Sequence, residues 1–302
     1  MRFLDADAVH ALGPAAAVRA IADALRSGLD PATDPPRAAV GLSHGQFLLM
    51  PSETPAAAGV KVVTVAPDNP SRGLPRIQGT YLLFDRETLA LRAVLDGTAL
   101  TTLRTPAVSV AAVLPRLPER PLRVAVVGAG PQAVGHVATL AAVRPLAGAT
   151  YLVRDPSRTP LDAVQLGSAA ADEALRTADV VVCATSARSP VFDPALLRDD
   201  AVVVAVGSHE PDARELDAAL LGRATVVVED IATALREAGD VVLAIAEGAL
   251  GAADLVPMRE VVTGAVAVPA DRPLVVKSVG MSWQDLVVAE AVLAGNSVGR
   301  AP

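Results

Sequence analysis

Several kinds of residue are scarce in this 302-residue chain, and each scarcity excludes a class of protein. The single cysteine, Cys183, excludes a disulfide within the chain and suits a reducing compartment. Aromatic residues make up only 2% of the sequence, which argues against a protein that stacks nucleobases on aromatic side chains. Acidic residues outnumber basic ones by 33 to 26, and the formal net charge of −7 argues against nucleic acid or an anionic membrane surface as a partner.

Long apolar runs are also missing. No stretch approaches the roughly 18 uninterrupted apolar residues that a membrane-spanning helix needs. The first residues, MRFLDADAVHALG, carry acids where a signal peptide would have an apolar run. Hydrophobic residues nevertheless make up 52% of the chain, which is ample for a large core. We therefore expect a cytoplasmic α/β protein with no membrane partner.

The pattern of apolar residues divides the chain into two regions. From residue 38 to 95, short runs such as GVKVVTV and TYLLFD are separated by Pro, Gly, Asn and Asp, which predicts an antiparallel or mixed sheet. After the proline-rich link PRLPERP, continuous apolar runs such as DVVVCAT alternate with helical stretches, which is typical of βαβ units. We predict a Rossmann-type doubly wound parallel sheet over residues 116–280. Residues 1–115 plus 281–302 are predicted to form a second, α+β domain.

One helical stretch, DGTALTTLRTPAVSVAAVL (residues 96 to 114), contains a proline in its middle. Asp96 is a plausible N-cap for its first half. Pro106 would cost about 3 kcal/mol inside an unbroken helix. We therefore expect a fresh helix to begin there, with Thr105 as its N-cap and Arg104 at the junction.

A glycine-rich turn, VAVVGAGPQAVGH, follows the first of the parallel strands. Gly128 suits the tight turn, Gly130 lets a pyrophosphate approach the backbone, and Ala133 permits close packing of helix on strand. Pro131 and Gln132 begin the helix, whose unpaired N–H groups favour an anion. With a strand before it and a helix after it, this turn predicts a dinucleotide-binding site.

The end of the second parallel strand bears on the choice of cofactor. NAD-binding proteins normally have an acid there, whereas NADP-binding proteins prefer an arginine nearby for the 2′-phosphate. Here ATYLV ends at Val153, and Asp155 is flanked by Arg154 and Arg158. The pattern favours NADPH, with NADH possible.

Seven motifs, in order along the chain, resemble those of a known family. They are GVKVVTV, LPRIQGTYLLFD, DGTALTTLRTPAVS, VVGAGPQA, AVGSHEPDARELD, EAGDV and VVKSVGMSWQD. The family they resemble is that of ornithine cyclodeaminase and mu-crystallin, which also contains alanine dehydrogenases and reductases of cyclic ketimines. The resemblance implies a Rossmann domain that binds NAD(P), a substrate-binding domain that also forms a homodimer, and a small α-imino or amino acid as substrate.

The resemblance also implies a clamp for the substrate carboxylate, made by Arg37, Lys61 and Arg104. Only two of the 26 basic residues are lysines, and Lys61 lies in an apolar strand where an unpaired ammonium is costly to bury. Arginine binds a carboxylate through two parallel N–H groups, and lysine supplies a mobile charge and a proton. Two roles are open for Arg76: a second contact to an anion, or a position at the surface.

Further positions match those near the cofactor in the family. They are Thr185, Ser186, Gly207, Ser278 and Gly280. His209 occupies the place where the cyclodeaminases have an acid, beyond the end of a parallel strand, and could donate or relay a proton. No spacing of histidines and carboxylates predicts a metal site. Cys183 and His136 are expected to be packing residues.

Two departures from the cyclodeaminases guide the choice of reaction. His209 replaces one of their acids, and Leu48 replaces a glutamate before the Met-Pro pair. We therefore favour an NADPH-dependent reductase of a cyclic or N-substituted α-imino acid, in which Lys61 or His209 protonates the imine nitrogen. Three alternatives stay open: ornithine cyclodeamination with bound NAD, alanine dehydrogenation, and a non-catalytic NADPH-dependent binding protein like mu-crystallin.

Overall fold

The structure, a computed structural model, describes residues 1–298, with side chains to Asn296. Residues 299 to 302 of the predicted 281–302 segment lie outside the described residues. The strands are β1 (Arg2–Leu4), β2 (Ala38–Leu42), β3 (Gly45–Glu53), β4 (Ala57–Val65), β5 (Ile77–Asp85), β6 (Leu91–Asp96), β7 (Leu122–Val127), β8 (Leu146–Val153), β9 (Ala163–Gln165), β10 (Val180–Cys183), β11 (Val202–Ala205), β12 (Thr225–Val228), β13 (Leu255–Pro257) and β14 (Leu274–Lys277). The helices are α1 (Ala6–His10), α2 (Pro14–Arg26), α3 (Gly97–Val113), α4 (Pro131–Val143), α5 (Ala169–Thr177), α6 (Ala218–Arg223), α7 (Ile231–Glu237), α8 (Gly239–Ala246), α9 (Met258–Thr263) and α10 (Ser282–Val298).

The chain forms two compact units, Met1–Val108 with Met281–Pro302, and Ser109–Gly280. The first unit contains a 6-stranded sheet in the order β1-β6-β5-β4-β3-β2. Its neighbouring strands are antiparallel except for β1, which lies parallel to β6. Helix α10 packs on β3, β4 and β5 and against α2. This is the predicted mixed sheet, covered on one face by helices.

Helix α3 corrects one prediction and confirms another. It runs unbroken from Gly97 to Val113 with Pro106 inside it, so the predicted restart at Pro106 is wrong and Arg104 lies in mid-helix. Every residue from 103 to 113 is buried, and this packing outweighs the hydrogen bond that proline cannot donate. The predicted N-cap is confirmed, because Asp96 Oδ1 accepts the N–H groups of Thr98 and Ala99 at 2.9 and 2.8 Å.

The second unit contains an 8-stranded sheet in the order β13-β12-β14-β11-β10-β7-β8-β9. All of its strand pairs are parallel. The apolar runs of five of its strands are almost wholly buried, namely those of β7, β10, β11, β12 and β14. From β7 the chain adds β8 and β9 on one side and then crosses to β10 on the other side. This reversal is the switch point of a Rossmann-type sheet, where such folds bind dinucleotides at the carboxyl ends of the strands. The predicted α/β fold class is confirmed.

The expectations for two buried side chains are also met. Cys183 is inaccessible to solvent at the end of β10, and burial raises the pKa of its thiol well above the usual value. His136 is inaccessible in α4. No helix within residues 1–298 combines the length and apolar character needed to cross a membrane.

Candidate functional site

Lys61 lies on the covered face of its sheet. Side chains alternate along β4, and Ala57, Gly59, Lys61 and Val63 are the buried ones. The side chain of Lys61 is only 3% exposed. Its ammonium is therefore not directed into solvent and must be balanced within the protein.

The balancing group is Asp285, in the first turn of α10. The Lys61 ammonium donates a hydrogen bond to Asp285 Oδ2 at 2.7 Å. Arg104 Nε lies 3.3 Å from the other oxygen, Oδ1, and Arg104 Nη1 donates to Gln284 Oε1 at 2.6 Å. Thr101, one turn before Arg104 on α3, accepts a longer bond of 3.4 Å from the ammonium. Two predicted clamp residues thus meet at one buried carboxylate, and we refer to Lys61, Arg104, Gln284 and Asp285 as the cation cluster.

The cation cluster holds more positive than negative charge, because Lys61 and Arg104 share the single carboxylate of Asp285. The pKa of Lys61 is lowered to about 8. Burial is the largest cause, the neighbouring charges of Arg104 and Arg37 act in the same direction, and Asp285 opposes them. An ammonium with a pKa of about 8 is mainly protonated at pH 7 and gives up its proton more readily than ordinary lysine. The arrangement suits an anionic ligand with a proton acceptor.

The other two predicted substrate residues differ in position. Arg37 is half-buried and directly precedes β2. Ala38 pairs with Leu49 of β3, so continuing this register by one residue places Arg37 opposite Met50. Met50 in turn pairs with Lys61 of β4. Its effect on the pKa of Lys61 agrees with that position. Arg76 is exposed and precedes Tyr81, the β5 partner of Lys61, by five residues or roughly 17 Å of strand. The structure therefore places Arg37 near the cation cluster and Arg76 away from it.

The surroundings of the cluster are closely packed. Asp34 Oδ2 accepts the backbone N–H of Trp283 at 2.9 Å and so caps the start of α10. Burial raises the pKa of Asp34 to about 6. The Tyr81 hydroxyl lies over Gly59, where an added Cβ would come within 2.1 Å of it. Glycine in the GVK strand therefore makes room for the buried tyrosine beside Lys61.

In the second unit, the glycine turn after β7 lies beside a cleft of about 680 Å³. Gly128 has a φ of 118°, and a Cβ there would lie 2.6 Å from the carbonyl oxygen of Ala184, so only glycine fits the turn. Gly130, just before Pro131 and Gln132 of α4, has no atom within 4 Å of where its Cβ would be. The open space at the start of α4 has the character of a pyrophosphate site.

The polar wall of the cleft includes three of the predicted cofactor residues, Arg154, Thr185 and Ser186. Asp155 caps the turn Pro156–Arg158, and its carboxylate accepts the Ser157 N–H and hydroxyl at 3.0 and 2.7 Å. The carboxylate of Asp155 therefore stabilises the turn that directly follows it. Of the two arginines, Arg154 lines the cleft, whereas Arg158 is the last residue of the exposed turn.

Two buried glutamates hold the carboxyl ends of four parallel strands. Glu215 accepts the N–H groups of Thr185, after β10, and Gly207, after β11, each at 2.7 Å. Glu229, after β12, accepts the Ser278 hydroxyl at 2.8 Å and the Gly280 N–H at 3.1 Å, both after β14. Four predicted cofactor positions are therefore fixed by carboxylates that the sequence analysis did not single out.

The other lysine, Lys277, is also buried beside an aspartate. Its ammonium lies 2.9 Å from Asp240 Oδ2 and donates to the Ser208 carbonyl at 2.6 Å. Asp240 Oδ1 accepts the backbone N–H groups of Glu215 and Leu216 at 2.7 and 2.8 Å. This pair ties the end of β14 to the segment after β11.

His209 is exposed in that segment, directly after Ser208. Nearby Glu210 and Asp212 both pair with Arg188, which lines the cleft. The position of His209 at the carboxyl edge of the parallel sheet is as predicted, and its part in proton transfer stays a prediction. Within residues 1–298, no three His, Cys, Asp or Glu side chains are arranged to hold a metal ion.

Comparison with known proteins identifies the family. The profile of the ornithine cyclodeaminase/mu-crystallin family matches residues 8–297. The chain belongs to this family. The resemblance drawn from the seven motifs is thereby confirmed.

Relatives within the ornithine cyclodeaminase/mu-crystallin family include reductases of cyclic imines. Delta(1)-pyrroline-2-carboxylate reductase 2 of Burkholderia ambifaria is 34% identical over 268 residues, which cover 83% of this chain and 81% of that protein. Ketimine reductase mu-crystallin of Mus musculus is 32% identical over 269 residues, covering 85% and 83%. Among solved structures, Thermococcus litoralis Delta(1)-pyrroline-2-carboxylate reductase in complex with NADH and L-proline superposes on this chain with a TM-score of 0.86. The sequence identity is 26%, and the match covers 99% of this chain and 98% of that one.

Two of the residues that the sequence analysis missed lie in motifs of this family, and a third follows a buried apolar run. Asp285 ends MSWQD and Glu215 lies in DARELD, while Glu229 directly follows the apolar run TVVV. An acid next to a buried apolar run is a usable signal, because such a carboxylate needs partners if it is to be buried. Which partners it has depends on the tertiary fold.

Proposed function

We propose that this protein is an NAD(P)H-dependent reductase that converts a cyclic or N-substituted α-imino acid to the amino acid. The observation that carries the proposal is the cation cluster, in which Lys61 and Arg104 share one buried carboxylate. A surplus of buried positive charge favours a small anion, and an α-imino acid supplies a carboxylate together with a basic nitrogen. The sequence similarity to reductases of this substrate class supports the same choice.

The residues of the Rossmann unit fit a dinucleotide. Gly130 leaves open space at the start of α4 for a pyrophosphate, and Gly128, Arg154, Thr185 and Ser186 line the adjoining cleft. Pro131, Gln132, Gly207, Ser278 and Gly280 are proposed to complete the site. When bound, NAD(P)H supplies the hydride for the reduction.

The side chains of the first unit are proposed to bind the substrate and control its proton. Arg37, Lys61 and Arg104 would hold the carboxylate and so fix the orientation of the imine carbon. Lys61 would donate a proton from Nζ to the imine nitrogen, which makes the carbon a better hydride acceptor. His209 is the second candidate for that proton. Burial of the cluster would exclude water from these contacts.

We also propose a preference for NADPH over NADH, carried by Arg154 at the wall of the cleft. Arg154→Asp should weaken NADPH binding by about 10-fold or more, since a charged pair with the 2′-phosphate is lost, and leave NADH binding within about twofold. Fluorescence titration of each cofactor measures the two dissociation constants. Arg158→Asp is the matched control, with the smaller effect expected because Arg158 lies beyond the cleft. An unchanged NADPH-to-NADH ratio in Arg154→Asp would remove this residue from the site.

The decisive experiment offers the purified protein several substrates. NADPH or NADH oxidation is followed with 1-pyrroline-2-carboxylate and then with pyruvate plus methylamine, and separately ornithine or alanine is offered with NAD. Cofactor consumption with the imines alone supports the proposal. Formation of ammonia and proline from ornithine would contradict the proposal and identify a cyclodeaminase. Formation of NADH with alanine would identify an alanine dehydrogenase. NADPH binding without turnover of any substrate would leave a binding protein.

A homodimer is the proposed assembly, and the outer face of the six-stranded sheet supports it. An antiparallel sheet with one solvated face normally alternates apolar and polar residues. Here the side chains that point away from α10 are apolar too, and Val40, Leu42 and Phe47 are 45%, 49% and 37% exposed. Such a face marks a protein interface. Light scattering on the purified protein tests the dimer; the cytoplasmic location stays a prediction for cell fractionation.

A further inference from the structure

We propose that Asp285 is the positioning residue of this site: its carboxylate holds Lys61 and Arg104 in place and keeps the Lys61 ammonium protonated between turnovers. The inference rests on the proposed reductase function. It adds a residue that is not itself expected to touch substrate.

The geometry carries the first half of the proposal. Asp285 is inaccessible to solvent and gives one oxygen to each cation, Oδ2 to Lys61 at 2.7 Å and Oδ1 to Arg104 at 3.3 Å. The adjacent Gln284 accepts from Arg104 Nη1 at 2.6 Å. Two consecutive side chains of α10 thus orient two cations that come from β4 and α3. A carboxylate divided in this way fixes the separation of the cations.

The start of α10 is itself anchored, so that Asp285 has little freedom to move. Asp34 accepts the backbone N–H of Trp283 and also receives the Ser52 hydroxyl at 2.6 Å. Trp283 is 1% exposed.

The charges around Lys61 support the second part of the proposal, that Asp285 keeps the ammonium protonated. Burial lowers the pKa of its ammonium to about 8, Arg104 and Arg37 act in the same direction, and Asp285 opposes them. The titratable or charged groups that surround this part of the sheet are Asp34, Arg37, Tyr81, Arg104, Asp285 and Glu290. Burial raises the pKa of the Tyr81 hydroxyl well above its usual value, so it stays neutral. Asp285 is the acid in direct contact with the ammonium, and without it the pKa of Lys61 would fall, so that more of this side chain would be deprotonated near neutral pH.

The test is Asp285→Asn, which keeps the shape and removes the charge. The alkaline fall of kcat/KM should move to lower pH by at least one unit, so that the loss of activity at pH 8 exceeds the loss at pH 6 by at least about fivefold. A purely structural defect would lower activity equally at all pH values. Glu290→Gln is the control, because it removes another acid of α10, hydrogen-bonded to Thr54, and should leave the profile within about 0.3 pH unit.

A measurement without turnover separates this inference from the proposed function. Since the chain has only two lysines, protein labelled with ¹³C at lysine Cε gives two NMR signals, and Lys61→Met assigns them. The titration of Lys61 should move to lower pH in Asp285→Asn whether or not imines are reduced. An unchanged titration overturns the inference and leaves the reductase proposal intact. If Asp285→Asn does not fold, Asp285→Glu serves: it should keep the pH profile and lose at least about 10-fold in kcat, and an unaltered kcat would refute the positioning role.

Discussion

Both lysines of the chain are buried beside an aspartate, one in each unit, yet their surroundings differ in charge. Lys61 shares Asp285 with Arg104, so two cations meet one carboxylate. Lys277 has Asp240 to itself and lies near a second acid, Glu215, whose pKa it lowers against the raising effect of burial. The group around Lys61 carries a surplus of positive charge that could bind an anionic ligand. The charge of Lys277 is balanced by acids of the protein itself. A buried lysine therefore indicates a binding site only when the neighbouring acids do not already balance it.

The largest effect that would test this difference is expected from Lys61→Met. The variant removes the ammonium and keeps the apolar bulk of the side chain. If Lys61 binds the carboxylate and donates the proton as proposed, the variant should lower kcat/KM for the imino acid by about 10³-fold. NADPH affinity, measured by fluorescence titration, should stay within about twofold. Equal loss of turnover and of cofactor affinity would contradict the assigned role.

Lys277→Met should have the opposite outcome. It leaves Asp240 buried without its cation and close to Glu215. We therefore expect the free energy of unfolding to fall by about 3 kcal/mol. This value is at the lower end for a broken buried ion pair, because two backbone N–H groups still donate hydrogen bonds to Asp240. Urea denaturation measures the change. Lys61→Met is the matched comparison and should lose less stability, since Arg104 still balances Asp285. An equal decrease in the free energy of unfolding in the two variants would contradict the proposed difference between Lys61 and Lys277.

A third buried base, His136, sharpens the comparison because the groups that its ring nitrogens contact carry no charge. Its ring nitrogens contact the Gln132 carbonyl at 2.7 Å and the Ser109 hydroxyl at 3.0 Å, and burial lowers its pKa from 6.5 to about 4. Between these values the unfolded chain takes up a proton that the folded chain does not. Stability should therefore fall as the pH falls, by roughly 2 kcal/mol between pH 6.5 and 5.

The control for this pH effect is His136→Asn, which cannot titrate in that range. Its urea denaturation curves should show a stability that changes less over the same interval. A parallel decline in the variant and the native protein would assign the effect to other groups.

Local signals predicted much of the second unit. The glycine turn, the buried apolar runs and the arginine after β8 each depend on neighbouring residues, so the sequence reveals them directly. The burial of Lys61 likewise follows from alternation along β4. Its partner, Asp285, is 224 residues away, and no periodicity or spacing connects the two. The pairing depends on how α10 packs on the sheet, which is a property of the whole unit.

Two other differences have the same origin. Pro106 stays inside α3 because burial of the surrounding residues outweighs a local preference, and that preference was the only information in the sequence. Arg76 belongs to a family motif, but it is exposed and lies just before β5, away from Lys61, because membership of a motif does not fix a distance in the fold. Its contact with an anion stays a prediction. In both cases a local pattern does not decide the tertiary arrangement.

The bonds of Glu215 have a consequence for the dynamics of the second unit. Because one carboxylate accepts the amides of both Thr185 and Gly207, solvent cannot reach one of these amides without disturbing the anchor of the other. The two should exchange with deuterium in a single cooperative opening, although they are 22 residues apart and follow different strands. The rim of the cleft beside the glycine turn would then open as a single unit.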